Sequence, residues 1–206
     1  MNPIRILIAD DHALLRHGLV MLFGLHEDLT VVGEAKNGIE AVKLAKATVP
    51  DVIVMDLSMP VLDGVEATRQ IHEAVPSAKI LILTTFGTSF DVAHALRAGA
   101  SGALVKDSDD DELVKAIHAI ADGKQAFSPE IKAMLKNTPN PPELTNRQRE
   151  ILEAIVHGLS SDNIAINLGI SSYAVNQHLD AIRKKLGAAN RTEAVAIALR
   201  KHLLKI

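Results

Sequence analysis

The sequence predicts two folded parts: a doubly wound parallel α/β sheet of five strands, then an all-α unit of four helices. Short apolar runs alternate with helix-period segments through the first half, and beyond Glu143 no strand pattern remains. Between them, the three prolines of Thr138-Pro139-Asn140-Pro141-Pro142 remove amide donors and fix φ, which predicts a semi-rigid linker.

The predicted strands are Ile4–Ala9, Val31–Ala35, Val52–Asp56, Ile80–Thr84 and Gly102–Val105. Helical periodicity falls near Ala13–Leu25, Ile39–Ala47, Val65–Ala74, Val92–Ala98 and Glu112–Ala121. Such alternation implies a parallel sheet covered by helices on both faces, with ligands bound beyond the carboxyl ends of the strands. Ser128-Pro129-Glu130 predicts the cap and first turn of a short helix through Lys136. The predicted domains are therefore 1–125, a linker with a short helix over 126–142, and 143–206. The last holds helices over Asn146–His157, Ser161–Leu168, Ser172–Leu186 and Thr192–Leu204, with breaks at Gly158, Gly169 and Gly187 suited to left-handed caps.

Composition narrows the function classes. With 2% aromatic residues among 206, the cores must be built from Ala, Val, Ile and Leu. The absence of cysteine excludes a disulfide framework and thiolate chemistry and fits a reducing compartment. The N-terminal apolar run is too short for a signal peptide, and no stretch approaches the roughly 18 apolar residues of a membrane span. The expectation is a cytoplasmic protein that does not enter membranes. The net charge of −3 hides an asymmetry: residues 1–125 carry 18 Asp+Glu against 11 Lys+Arg, net −7. Residues 143–206 carry 9 Lys+Arg against 6 Asp+Glu, net +3, which points to a second task that faces nucleic acid.

The chemistry concentrates at the predicted strand ends. Asp10 and Asp11 end the first strand, Asp56 the third, Thr84 the fourth and Lys106 the fifth. Three crowded carboxylates repel unless a hard divalent cation sits among them, and Mg²⁺ takes oxygen ligands while keeping several waters. One carboxylate can then attack a phosphoryl group, with Lys106 and Thr84 aimed at the phosphoryl oxygens. Any one of these residues alone would be an ordinary turn, cap or surface residue; their joint placement is the signal. The nine histidines show no metal-ligand spacing.

Asp10-Asp11, Asp56-Leu57-Ser58-Met59-Pro60 with Asp63-Gly64, Thr84 and Lys106 together resemble the receiver domain of two-component response regulators. That resemblance implies a flavodoxin-like (CheY-like) fold, with Asp56 accepting a phosphoryl group from a sensor histidine kinase. It also implies Mg²⁺ held by Asp11, Asp56 and the Ser58 carbonyl, with Asp10 close by through water. The family usually carries an aromatic residue three positions before the strand-5 lysine. Here that position is Ala103, so the aromatic readout is expected to be absent or to pass to Phe86 or Phe90.

In the helical part, Thr145 with Gln148 predicts a capped start, and Ser171 or Ser172 caps the third helix. Two helices joined by a tight Gly-containing turn form a helix-turn-helix whose second helix enters the major groove. On it Val175, Leu179, Ile182 and Leu186 form the apolar face, leaving Asn176, Gln177, Asp180, Arg183 and Lys184 outside. Leu144–Leu152, Gly158-Leu159-Ser160, Leu168-Gly169-Ile170-Ser171, His178-Leu179 and Lys185-Leu186-Gly187 resemble the LuxR-type effector domain of NarL/FixJ-like regulators. Where that family commonly has Thr-Val-Lys, this chain has Ala174-Val175-Asn176. Asn176 and Gln177 can read adenine edges, while Arg183, Lys184, Lys185, Arg191 and Arg147 can contact phosphates.

The expected function is DNA binding and transcription control governed by phosphorylation of Asp56, with a homodimer as the active form. Alternatives are a regulator that uses its receiver only to dimerise, a helical protein-interaction module, and an aspartyl-phosphate hydrolase. The last is disfavoured because the expected acceptor, Asp56, lies on strand 3 and no substrate lid is evident, so the chain is expected not to be an enzyme.

Overall fold

The computed structural model describes residues 2–85, 89–136, 144–200 and 203–204. The chain divides into two compact units at Thr138/Pro139. In the first unit the strands are β1 (Ile4–Ala9), β2 (Leu29–Ala35), β3 (Val52–Met55), β4 (Lys79–Thr84), β5 (Gly102–Val105) and β6 (Ala126–Phe127). The helices are α1 (Ala13–Gly24), α2 (Gly38–Thr48), α3 (Gly64–Ala74), α4 (Ser89–Arg97), α5 (Asp110–Ala121) and α6 (Pro129–Lys136).

All strands are parallel, in the order β2-β1-β3-β4-β5-β6. The apolar runs are β-branched and bury both faces of the sheet, as a parallel sheet flanked by helices requires. Leu7, Ile53, Ile80, Ile82 and Ala103 pack with α2, α3, α4 and α6 on one face. Ile6, Ile8, Val54, Leu81, Leu83 and Leu104 pack with Leu19 and Phe23 of α1 and Ile117 and Ile120 of α5 on the other. The strand order reverses direction between β1 and β3, so the crevice at such a switch point opens where those two strands end.

The sheet has six strands among the described residues, one more than the sequence reading expects. β6 is two residues long, too short to show a periodicity, and lies where a linker is predicted. Its pairing depends on Gly102: a Cβ there would stand 2.2 Å from the Ala126 carbonyl oxygen. The following helix α6 is anchored by Ile131, which is fully buried in the sheet core. Ala103, at the usual aromatic position, is also fully buried and pairs in register with Phe127 of β6. Phe86 lies outside the described residues, and Phe90 is described only as part of α4.

The second unit contains α7 (Asn146–Val156), α8 (Ser161–Leu168), α9 (Ser172–Leu186) and α10 (Arg191–Arg200). Thr145 and Gln148 form a reciprocal capping box on α7, Ser160 caps α8 and Ser171 caps α9. Gly158, Gly169 and Gly187 have φ of 80°, 63° and 69°, the left-handed backbone that the breaks demanded. Ile151, Leu152, Ile164, Val175, Ile182, Ala194 and Ala198 form one buried core. The last helix is predicted to run to Leu204, but α10 extends to Arg200. The Leu203 amide donates to the Ala198 carbonyl, and Leu204, which is not helical, packs into the core.

Candidate functional site

The strand registers set the site. Ala9 lies opposite Met55 in the β1–β3 pair, so Asp10 and Asp56 leave the sheet side by side. The Asp56 amide donates to the Ala9 carbonyl at 2.8 Å, and the Asp10 amide to the Ala35 carbonyl at 3.1 Å. Thr84 pairs with Val105, and the Lys106 amide donates to the Thr84 carbonyl at 2.8 Å. Thr84 thus ends the strand lying between those that carry Asp56 and Lys106, and it is buried. All five residues singled out at strand ends reach the same edge.

The side chains meet there. The Lys106 ammonium donates to Asp10 Oδ2 at 2.6 Å and to Asp56 Oδ2 at 3.0 Å, with Lys106 6% and both carboxylates 3% exposed. Oxygens of Asp10, Asp11 and Asp56, and a His12 ring nitrogen, all lie within 4.8 Å of one another. Asp11 is the most open of the three carboxylates, at 33%, and His12 is more open still. Burial is the strongest influence on Asp56 and pushes its carboxyl above the ordinary carboxylate value. Lys106 and the Ser58 amide, which bonds the carboxylate, pull the other way, while Asp10 adds repulsion. Burial also opposes the charge on Lys106, but its bonds to Asp10 and Asp56 outweigh that and raise its pKa above the usual lysine value.

Two supports lie beneath these groups. A Cβ on Gly64 would stand 2.0 Å from the Asp56 carbonyl oxygen, so only glycine lets α3 begin this close to the acceptor loop. Asp63 caps that helix through the Glu66 amide, which accounts for the Asp-Gly pair of the motif. Arg16 of α1 donates to the Asp10 carbonyl at 2.7 Å and holds the β1–α1 turn. Sequence reasoning missed Arg16 and His12. His12 Nδ1 sits 2.9 Å from Asp11 Oδ1, and the His12 amide donates to Asp10 Oδ1 at 2.8 Å. Adjacency to the Asp pair could have flagged His12; nothing in the spacing flags Arg16.

In the second unit, α9 turns Asn176, Gln177, Asp180 and Lys184 to solvent, while His178 is half-buried. Four of the cations assigned to DNA also hold this unit together. Arg147 donates to the Leu168 carbonyl at 2.6 Å, Arg183 to the Ala189 carbonyl at 2.6 Å and Arg191 to the Leu159 carbonyl at 3.2 Å. Lys185 donates to Gln148 Oε1 at 3.0 Å, tying α9 to the cap of α7. Sequence reasoning also missed Tyr173, which is 72% exposed on the same side of α9.

A parallel sheet with a lysine-bridged carboxylate cluster at its switch point, followed in the same chain by a helix-turn-helix unit, defines a receiver joined to a DNA-binding output domain. The family model for the response regulator receiver domain matches residues 6–118, and that for bacterial regulatory proteins of the luxR family matches 142–198. The transcriptional regulatory protein YxjL of Bacillus subtilis (strain 168) is 39% identical over 215 residues, covering 99% of each chain. The nitrate/nitrite response regulator protein NarL of Escherichia coli (strain K12) is 37% identical over 202 residues, covering 94% of each. The crystal structure of ChrA, the response regulator of a heme-sensing two-component system, superposes with a TM-score of 0.59 at 36% identity, covering 98% of this chain and 100% of its own. The chain belongs to the response regulators that carry a receiver domain and a LuxR-type DNA-binding domain.

Proposed function

We propose that Asp56 is the phosphoacceptor, that a sensor histidine kinase is the donor, and that the phosphorylated chain binds duplex DNA as a homodimer to control transcription. The observation that carries this reading is the bridge from Lys106 to both Asp10 and Asp56 at the sheet edge. It assembles a nucleophile, a neighbouring acid and a cation from three separate strand ends.

The donor set fits Mg²⁺: hard oxygens of Asp10, Asp11 and Asp56 crowd together with more negative charge than one lysine offsets. Asp11, Asp56 and the Ser58 carbonyl would hold the ion, with Asp10 bonded through its water. Bound there, the cation supplies charge neutralisation of the phosphoryl oxygens. Asp56 attacks the phosphorus through a carboxylate oxygen, the bond to the donor imidazole breaks, and an aspartyl phosphate forms. Lys106 then exchanges Asp56 Oδ2 for a phosphoryl oxygen, and Thr84 donates to another. The product carries roughly −1.5 to −2 charges and three strong acceptors.

We assign residues 1–125 to the receiver and 143–206 to DNA binding, joined by 126–142, of which β6 and α6 pack on the receiver sheet. Asn176 and Gln177 would face base edges, with His178 and Asp180 beside them on the same helix, and Arg147, Arg183, Lys184, Lys185 and Arg191 would reach the phosphates. A net charge of +3 over 143–206 is modest, which favours a dimer on half-sites about one helical turn, ~34 Å, apart. No helix among the described residues is long and apolar enough to cross a membrane, in keeping with action in the cytoplasm. The test is incubation with Mg²⁺ and acetyl phosphate or beryllium fluoride. With acetyl phosphate the parent should gain a phosphate adduct, and with either reagent it should dimerise and bind DNA more tightly; identical behaviour of Asp56→Ala and parent would overturn phosphorylation control.

A further inference from the structure

Tyr173 stands one turn before Gln177 on the outward side of α9, and the two side chains touch: Gln177 Nε2 donates to Tyr173 Oη at 3.0 Å. Both residues are exposed, and with Asn176, Asp180 and Lys184 they form one stripe along the recognition helix. On the opposite face Val175, Leu179 and Ile182 are buried, so the stripe is the side of α9 left for a ligand. A tyrosine that is 72% exposed contributes nothing to the core of this unit. Its hydroxyl partner, however, is the one long amide on the stripe.

From this geometry we infer that Tyr173 is a positioning residue for base readout, holding the Gln177 amide in the orientation that recognises adenine. The inference rests on the DNA-binding reading above. A glutamine pairs with adenine by accepting from N6 through Oε1 and donating to N7 through Nε2. An amide nitrogen has two hydrogens. Bonding one of them to Tyr173 leaves Oε1 and the second N–H for the base. Untethered, the Gln177 side chain would have to be immobilised at the moment of binding. The tyrosine, with only two side-chain torsions, is already stiff and removes part of that cost before DNA arrives. The same hydroxyl also stabilises the helix as an i,i+4 pair, a role that would leave base preference untouched.

The experiment is selection from a randomised duplex library with the full-length chain, with and without beryllium fluoride and Mg²⁺, for parent, Tyr173→Phe, Gln177→Ala and the double variant. The parent should show an adenine preference at one position of each half-site, which Gln177→Ala abolishes. Tyr173→Phe should lower that preference roughly two- to tenfold, the worth of one pre-ordered side chain. Its affinity for a non-specific duplex should be unchanged, and in the Gln177→Ala background the tyrosine substitution should have no further effect. If Tyr173→Phe keeps the parental base profile, or changes it equally without Gln177, the inference is overturned while DNA binding stands. If the parent selects no sequence in either state, the DNA-binding reading fails and takes this inference with it.

Discussion

At the sheet edge, Lys106, Asp10 and Asp56 are nearly closed off from water and compensate one another's charge. On α9, Tyr173, Asn176, Gln177, Asp180 and Lys184 stand in solvent, and their interactions run along one helix surface. The contrast teaches where sensitivity resides. In a poorly solvated cluster, removing or adding one charge leaves a partner uncompensated, and the cost is large. On an exposed face each contact is weak, screened and close to additive, so recognition accumulates from many small terms. A switch needs the first arrangement and a reader the second.

The most severe way to test the contrast is Asp56→Asn, which should abolish the phosphate adduct from acetyl phosphate as read by intact mass. The same variant should leave basal affinity for non-specific duplex unaltered, because the exposed face is untouched. Next, Lys106→Ala should destabilise the first unit by about 3 kcal/mol, since it leaves Asp10 and Asp56 buried together without their cation. Chemical denaturation would read it, and Mg²⁺ should restore part of the loss. A change of only a few tenths would mean that this cluster is solvated like a surface.

Gly64→Ala should cost roughly 2 kcal/mol and slow phosphorylation, because the added methyl meets the Asp56 carbonyl and forces the acceptor loop to move. A pH series without divalent cation should show a smaller trend. Burial holds the Asp56 carboxyl above its ordinary value. In the window between those two values the folded state keeps a proton that the unfolded chain has released. Its contribution is therefore complete at lower pH and declines as pH rises through that window. Urea midpoints of Asp56→Asn should lack this decline, so an identical pH profile for variant and parent would refute it.

The smallest effects belong to the helical unit and should separate two kinds of cation. Lys184→Ala should weaken binding uniformly across sequences and reduce the salt slope by about one. Arg147→Ala should in addition lower the stability of its unit by about 1 kcal/mol, since its guanidinium is bonded to the Leu168 carbonyl. Equal losses of stability for the two variants would erase that distinction.

Much of this was legible in the chain. The β-branched runs around Ile4–Ala9, Val52–Met55 and Lys79–Thr84 announce a parallel sheet because strands buried on both faces cannot alternate with polar residues. Once the sheet is parallel, residues at the ends of β1, β3, β4 and β5 must share an edge, so the acidic pocket follows from strand order without coordinates. The cap at Thr145 was equally readable, and the choice at α9 narrowed to Ser171 or Ser172, since a cap bonds an amide only two or three residues away. Less was visible where the signal was short or lay far along the chain. β6 has two residues, and its existence depends on Gly102 admitting the Ala126 carbonyl.

What the sequence by itself determined is therefore the set of elements, their order and the residue types delivered to each strand end, because local periodicity and capping act over a few residues. Only the tertiary structure decided which partner each polar group takes. Lys106 spans Asp10 and Asp56, Arg16 closes on the Asp10 carbonyl, Arg147 reaches the Leu168 carbonyl, and Ile131 folds α6 onto the sheet. Those choices depend on distances between segments remote in sequence, and burial and electrostatics act through space.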